Sequence, residues 1–351
     1  MNSYEQKTFL GQTLLYNPEA HFDFSDYGIS IPMAYDRSQK IFEHFKQDSF
    51  DLKYVSKHSL IKIKREDLLR VHRVQYVDEL LFSDEKLMYH IFNAYELVDI
   101  DGNVYRFNAD LQKKSWRNFL DQVLMQIELT YMASVVALEM GFSFYLGGGM
   151  HHAMTDRGRG FCLLHDVAIA IRKLQNEKKV QRVWVIDLDA HKGDGTAEIF
   201  KNDPTVTTMS IHMQEGWPLN VGQFSDPWFI PSDVDCGISA DDSQEYYLEQ
   251  CRKGLERCLE LSDNVLPDMA FVVDGADPFE ADELESAKLL KLTKETMLKR
   301  DEIVYQFFNR RETPMTYVMA GGYGEYSYEI YIQFLELVRK HPTQRTKISP
   351  R

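Results

Sequence analysis

The run Val183-Trp184-Val185-Ile186-Asp187-Leu188-Asp189-Ala190-His191-Lys192-Gly193-Asp194 decides how this chain is read. Its first half is a short unbroken apolar stretch, the mark of a fully buried strand. Its second half places Asp187, Asp189 and His191 at alternate positions, which share one face of an extended segment. Three such groups on one face are costly in a plain core. A divalent cation removes that cost, and Asp/His donors suit zinc and similar ions. A solvated acidic turn after a buried strand is the other reading of the same residues.

Outward from this run, short apolar stretches alternate with helical ones. Strands are expected at Phe142–Leu146, Val183–Ile186, Val206–Ile211, Met269–Val273 and Tyr317–Met319. Helices are expected at Trp116–Met140, stopped by Gly141, and at Asp166–Gln175, Gln244–Leu261, Leu284–Asn309 and Tyr328–Lys340. Residues 1–110 read as irregular and polar, with short helices near Ser38–Gln47 and Arg65–Leu69. Alternating β and α predicts an α/β fold, a parallel doubly wound sheet with helices on both faces.

Such sheets bind ligands just beyond the carboxyl ends of their strands. There the sequence sets Gly147-Gly148-Gly149-Met150-His151-His152, Asp187 to His191, Ser210 with His212, Asp274-Gly275-Ala276-Asp277 and Ala320-Gly321-Gly322-Tyr323. Asp277 added to Asp189 and His191 makes a three-ligand site with room for water or substrate, although a turn or helix-cap role suits Asp277 equally. His151 and His152 follow three glycines on a loop, where imidazole can serve as a general base. Asp187 and Asp194 are candidate orienting partners for the pair. The Tyr323 phenol can donate to a developing oxyanion, though an ordinary turn tyrosine fits too. Phe161 and Trp217 suit either the apolar walls of a pocket or plain core packing. Gly158-Arg159-Gly160-Phe161-Cys162 lacks a phosphate-loop pattern, which excludes a nucleotide site there.

The chain has 351 residues, and Lys+Arg 40 minus Asp+Glu 54 gives a net charge of −14. That balance disfavours a grip on phosphate backbones, so no direct nucleic-acid partner is expected. The 4 cysteines show no CxxC spacing, which points away from disulfides and thiolate zinc sites and toward a reducing, cytoplasmic setting. No signal pattern and no apolar run of about 18 residues stand out, so no membrane span is expected. No Ser-, Gly- or Pro-rich linker divides the sequence, and residues 1–351 are expected to form one domain.

Taken in order, Gly147 to Ala153, Gly158 to Cys162, Asp187 to Thr196, Gly275-Ala276-Asp277-Pro278 and Gly321-Gly322-Tyr323 resemble the signature blocks of the zinc-dependent histone deacetylase family. That family also contains acetoin-utilisation proteins and acetylpolyamine amidohydrolases. The resemblance covers roughly residues 20–340 and is closest to the class IV, histone deacetylase 11-like branch and its bacterial relatives. It implies an arginase/deacetylase fold, with a central, mostly parallel sheet of about eight strands and long loops forming the active site.

The resemblance also implies a hydrolase that removes acyl groups from N-ε-acyl-lysine. Asp189, His191 and Asp277 would hold one zinc ion. His152, oriented by Asp194, would act as general base and then general acid. His151, paired with Asp187, would assist electrostatically, and Tyr323 would hold the oxyanion. Asp187, Asp189, His191, Ser210 and Ile211 would surround a structural potassium ion. Gly160, Phe161, Trp217, Gly321 and Gly322 would line the substrate tunnel. The chain departs from the family pattern at His165, where Asn is common, and at Lys192, where His or Gln is common; Met213–Phe229 does not align.

Other activities remain open at this point. An acylated polyamine or other small amide is an alternative substrate. An arginase-like binuclear manganese enzyme is disfavoured, because Lys192-Gly193-Asp194 is one residue longer than its usual motif. A non-catalytic acyl-lysine binder would be expected to lack a ligand, the base or the tyrosine.

Overall fold

The computed structural model describes residues 12–46, 51–54, 60–99, 101–219, 226 and 229–343. The end of the expected helix at Gln47 and part of Met213–Phe229 lie outside these residues. Strands run at β1 (Gln12–Tyr16), β2 (Tyr27–Ile29), β3 (Asp51–Tyr54), β4 (Phe107–Gln112), β5 (Phe142–Tyr145), β6 (Val183–Asp187), β7 (Val206–Met213), β8 (Val234–Ile238), β9 (Met269–Asp274) and β10 (Met315–Met319). Helices run at α1 (Arg37–Phe45), α2 (Arg65–Leu68), α3 (Val74–Phe82), α4 (Asp84–Ala94), α5 (Trp116–Met140), α6 (Asp166–Asn176), α7 (Asp194–Phe200), α8 (Gln244–Leu261), α9 (Lys294–Asn309) and α10 (Ser327–Lys340).

Eight strands form one sheet in the order β3-β1-β5-β10-β9-β6-β7-β8, and every neighbouring pair is parallel. The runs Val183–Asp187, Met269–Asp274 and Met315–Met319 are buried throughout, as strands covered on both faces must be. Helices α8, α9, α10 and α1 pack in succession, while α5 packs with α6 and against β5. From β6 the chain steps out to β7 and β8, then returns to lay β9 on the other side of β6 and β10 beyond it. The direction of winding therefore reverses between β6 and β9, and crevices for ligands open at such switch points.

The expected α/β class is observed, and the parallel character extends to all eight strands. Three expectations need correction. The described residues of the segment 1–110 are not irregular: they supply β1, β3, α3 and α4. In β1 the residues Thr13, Leu14, Leu15 and Tyr16 are all buried, so the strand lacks the alternation that makes a half-exposed strand visible. The helix expected over Leu284–Asn309 is broken. A 3-10 turn at Glu285–Ala287 is followed by an extended Thr293, whose hydroxyl caps α9 by accepting the N–H of Thr296. The structure adds strand β8 at the sheet edge, where Val234, Cys236 and Ile238 alternate with less buried neighbours; five residues ending near Gly237 are too short a run to separate from a loop.

By length and composition α5 is apolar enough to cross a membrane, yet 61% of that window is buried inside the fold. Its one buried acid, Glu128, accepts from Lys62 at 2.9 Å. Ser115 caps its start, and Gly141, at φ 91°, ends it as expected.

Candidate active site

Strands β6 and β9 pair up to Asp187 and Val273 and then diverge. The segments leaving them carry Asp189, His191 and Asp277, whose ligand atoms lie within 4.8 Å of one another. His191 Nδ1 stands 3.0 Å from both Asp189 Oδ1 and Asp277 Oδ2. All three side chains are buried, and Asp277 Oδ2 has no hydrogen-bond partner. Two buried carboxylates and an imidazole, one oxygen left unsatisfied, fit a divalent cation. Gly321 sits over the same cradle: a Cβ there would meet Asp189 Oδ2 at 2.4 Å and Asp277 Oδ2 at 2.5 Å. Burial and the neighbouring Asp189 charge push the Asp277 carboxyl up to about 6, a strain that a bound cation would relieve.

The expectation that Asp187, Asp189 and His191 share one face holds in part. The strand ends at Asp187, whose Oδ2 meets His151 Nδ1 at 2.7 Å, outside the three-ligand group. Asp187 lies opposite Ser210 in the β6–β7 register, with Ile211 next to it and both side chains buried.

His152 Nδ1 meets Asp194 Oδ1 at 2.7 Å, and the two histidine rings are 3.8 Å apart. Two adjacent buried imidazoles cannot both be charged cheaply. Burial opposes charge on His151, but the Asp187 and Asp189 carboxylates outweigh it and raise the group to about 9. Burial and the His151 charge lower His152 to about 3 despite Asp194. His152 is thus neutral at pH 7. With its Nδ1 proton engaged by Asp194, its Nε2 is the free base. Arg159 Nη1 holds the other Asp194 oxygen at 2.8 Å.

A cavity of about 400 Å³ opens onto these groups, lined among others by His151, His152, Asp189, His191, Phe161, Trp217 and Tyr323. Trp217 lies 4.5 Å from the His152 ring and 5.4 Å from the His191 ring, and Phe161 lies 6.2 Å from Tyr323. Gly160, at φ 56°, lets these walls close: a Cβ there would come within 2.3 Å of Trp217 and 2.6 Å of His152. Burial, followed by the Asp189 and Asp277 charges, pushes the Tyr323 phenol well above its ordinary value, so it remains a proton donor. Gly322 does not line the cavity. Its carbonyl accepts Arg37 Nη1 at 2.7 Å.

Several supporting residues were not found from sequence. Asp166, read only as a helix start, accepts the N–H groups of Gly149 and Met150 and the Thr130 hydroxyl. Ser286 Oγ lies 3.1 Å from His191 Nε2 and so fixes which ring nitrogen faces the cluster. Asp282 accepts the N–H of Tyr323 at 2.7 Å. The Tyr331 hydroxyl ties the carbonyls of Gly321 and Asp274. None of these stands in a motif. Ser286 comes from a turn 95 residues past His191, while Asp166, Asp282 and Tyr331 lie nearer in sequence but outside the strand-end blocks, so spacing carries no signal of them.

A family model described as the histone deacetylase domain matches residues 31–335. An uncharacterized protein of Picosynechococcus sp. is 34% identical over 206 residues, 59% of this chain and 64% of that protein. Histone deacetylase 2 of Arabidopsis thaliana is 26% identical over 281 residues, 80% of this chain and 67% of that protein. The chain thus spans about two thirds of the length of these relatives. Among solved structures, the acetylpolyamine aminohydrolase from Burkholderia pseudomallei superposes with a TM-score of 0.67 at 17% identity, covering 93% of this chain and 98% of that one. That likeness speaks for the fold.

Proposed function

The chain belongs to the histone deacetylase family, and on that premise we propose that it is a zinc-dependent amidohydrolase removing acyl groups from N-ε-acyl-lysine. One observation carries the reading. The Asp189–His191–Asp277 cluster, the neutral His152 held by Asp194, and the Tyr323 phenol converge on one cavity. Among the described residues this is the one three-ligand group found, which supports a single-metal site over a binuclear one.

A divalent ion held by Asp189, His191 and Asp277 would acidify a water molecule and polarise an amide carbonyl. His152 Nε2 accepts the proton of the attacking water and returns it to the leaving amine. His151, fixed by Asp187, would assist electrostatically. Tyr323 donates a hydrogen bond to that oxyanion. Phe161, Trp217 and Leu284 supply apolar walls suited to the alkyl stem of lysine. Asp187, Asp189, His191, Ser210 and Ile211 would enclose a potassium ion beneath the site, a reading supported by the cross-strand placement of Asp187 and Ser210. The four free cysteines suit a reducing, cytoplasmic setting.

An acylated polyamine is the second reading. Glu283 and Glu285 line the cavity, and the net charge of −14 favours a cationic substrate. Amine release from acyl-lysine peptides and from acylated polyamines, each with acetyl to long acyl chains, tests both readings. Zinc-dependent turnover of peptides supports the first. Turnover of polyamines alone supports the second, and turnover of neither overturns both.

A further inference from the structure

Beneath the rim lies a charged group that takes no part in the chemistry above. Arg300 on α9 is fully buried. Its guanidinium has a fixed fork of donors, and the structure uses both ends of it. Nη1 donates to the Leu188 carbonyl at 3.0 Å and to the Gly275 carbonyl at 2.8 Å. Nη2 donates to Asp274 Oδ1, and Nε donates to Asp301 Oδ1, both at 2.7 Å. The two carboxylates grip the guanidinium edges and leave Nη1 aimed at the two carbonyls.

Those carbonyls occupy telling positions. Leu188 stands between Asp187 and Asp189, and Gly275 stands two residues before Asp277. The β6–β9 ladder ends just before them, with Leu188 N–H still donating to Val273 at 2.9 Å. Past that point the two segments part, and Asp277 Oδ1 reaches back to the N–H of Ala190 at 2.9 Å. Arg300, fully buried and outside the cavity lining, clamps the two segments.

We propose that Arg300 is a positioning residue that sets the separation of the Asp189 and Asp277 carboxylates and thereby the affinity of the site for its divalent ion. The inference rests on the reading of Asp189, His191 and Asp277 as metal ligands. An ammonium cannot take this place, because a single nitrogen cannot span two carbonyls and two flanking carboxylates. Partners that orient metal ligands typically change affinity by about 10–100-fold when replaced.

The test measures Zn2+ dissociation constants by chelator competition on the full chain, with melting temperatures of metal-free and Zn2+-loaded protein. Arg300→Lys keeps the charge and should bind Zn2+ about tenfold to a hundredfold more weakly. Its melting rise on Zn2+ addition should shrink to match. Methylguanidinium added to Arg300→Ala should restore part of the affinity. Wild-type affinity in a folded but less stable Arg300→Lys overturns the proposal and leaves Arg300 a structural residue. Should Arg300→Lys fail to fold, Asp274→Asn loosens the same grip while keeping the side-chain shape, and unchanged affinity there overturns the proposal. A wild-type chain that binds no Zn2+ overturns the ligand reading itself, and with it this inference.

Discussion

The Asp166 carboxylate accepts the backbone N–H of Met150 at 2.8 Å, and this contact fixes the loop that presents His151 and His152. The second Asp166 oxygen takes the N–H of Gly149 at 3.0 Å and the Thr130 hydroxyl at 2.7 Å. A buried carboxylate satisfied by three donors is strongly placed. Asp166→Asn turns one acceptor into a donor facing an N–H. Turnover should fall by at least about tenfold, and stability by about 1.5–3 kcal/mol. Chemical denaturation and steady-state kinetics check both. Wild-type turnover in a folded variant would separate the loop from the histidine pair.

Tyr323→Phe keeps the ring against Phe161 and removes the donor. The loss should lie in kcat, about 10²–10³-fold, with KM changed little. An equal rise in KM would mean that the hydroxyl binds substrate in the ground state instead.

Much of this site was legible in sequence because its groups leave the strand ends in short motifs. Asp189-Ala190-His191, Asp277, His151-His152 and Tyr323 all follow predicted strand ends and so fall on one rim. The supporting residues were not legible. Arg37, Ser286 and Arg300 arrive from helices and turns away from the residues they hold, and Tyr331 from the helix after the Tyr323 loop, so only the packing brings them in. The fold shows the same division. Trp116–Met140 announced itself by helical periodicity, whereas β1, β3 and β8 are short strands whose partners are set by the sheet. Two departures from the family pattern also acquire reasons. His165 caps α6 by accepting the N–H of Ala168, as an asparagine there could, and its other nitrogen meets Thr196. Lys192 is buried against Asp235 at 3.0 Å and against Ser232.

Lys192 can be tested through that pair. Truncation to Met leaves the Asp235 carboxylate buried without its counter-charge, which should cost about 3–5 kcal/mol. The double variant Lys192→Met/Asp235→Leu should recover most of the loss. Denaturation of the four members of the cycle measures the coupling. Additive losses would show that the ion pair is not what holds Lys192 in place.

His72 gives the fold an acid limb. Its Nδ1 donates to the Met154 carbonyl and its Nε2 accepts the N–H of His165, so the fold needs the neutral ring. Burial lowers the group from 6.5 to about 4. The unfolded chain therefore binds the proton first as pH falls. The stabilisation is complete above pH 6.5 and is lost between there and about 4. The loss is about 3 kcal/mol at about 1.4 kcal/mol per unit. His72→Asn should unfold with a shallower stability–pH slope over that window, short by about one proton. Denaturant midpoints at several pH values check this, and identical slopes would place the acid sensitivity elsewhere.

Asp277→Asn should separate stability from metal binding. Without metal, Asp189 and Asp277 are two buried carboxylates facing one imidazole, and like charges so close repel at low dielectric. Replacing one by a neutral amide of the same shape should make the metal-free variant more stable than metal-free wild type, by on the order of 1–3 kcal/mol. Zinc should reverse the order. At about a hundredfold excess over its dissociation constant it stabilises a binding-competent chain by about 2.7 kcal/mol. The variant, short of one anionic ligand, should gain little. Melting curves with chelator and with Zn2+ read both effects. Wild type should take up one equivalent of metal per chain, and two equivalents would contradict the single-site reading. A metal-free variant less stable than metal-free wild type would show that Asp277 serves the fold first and the metal second.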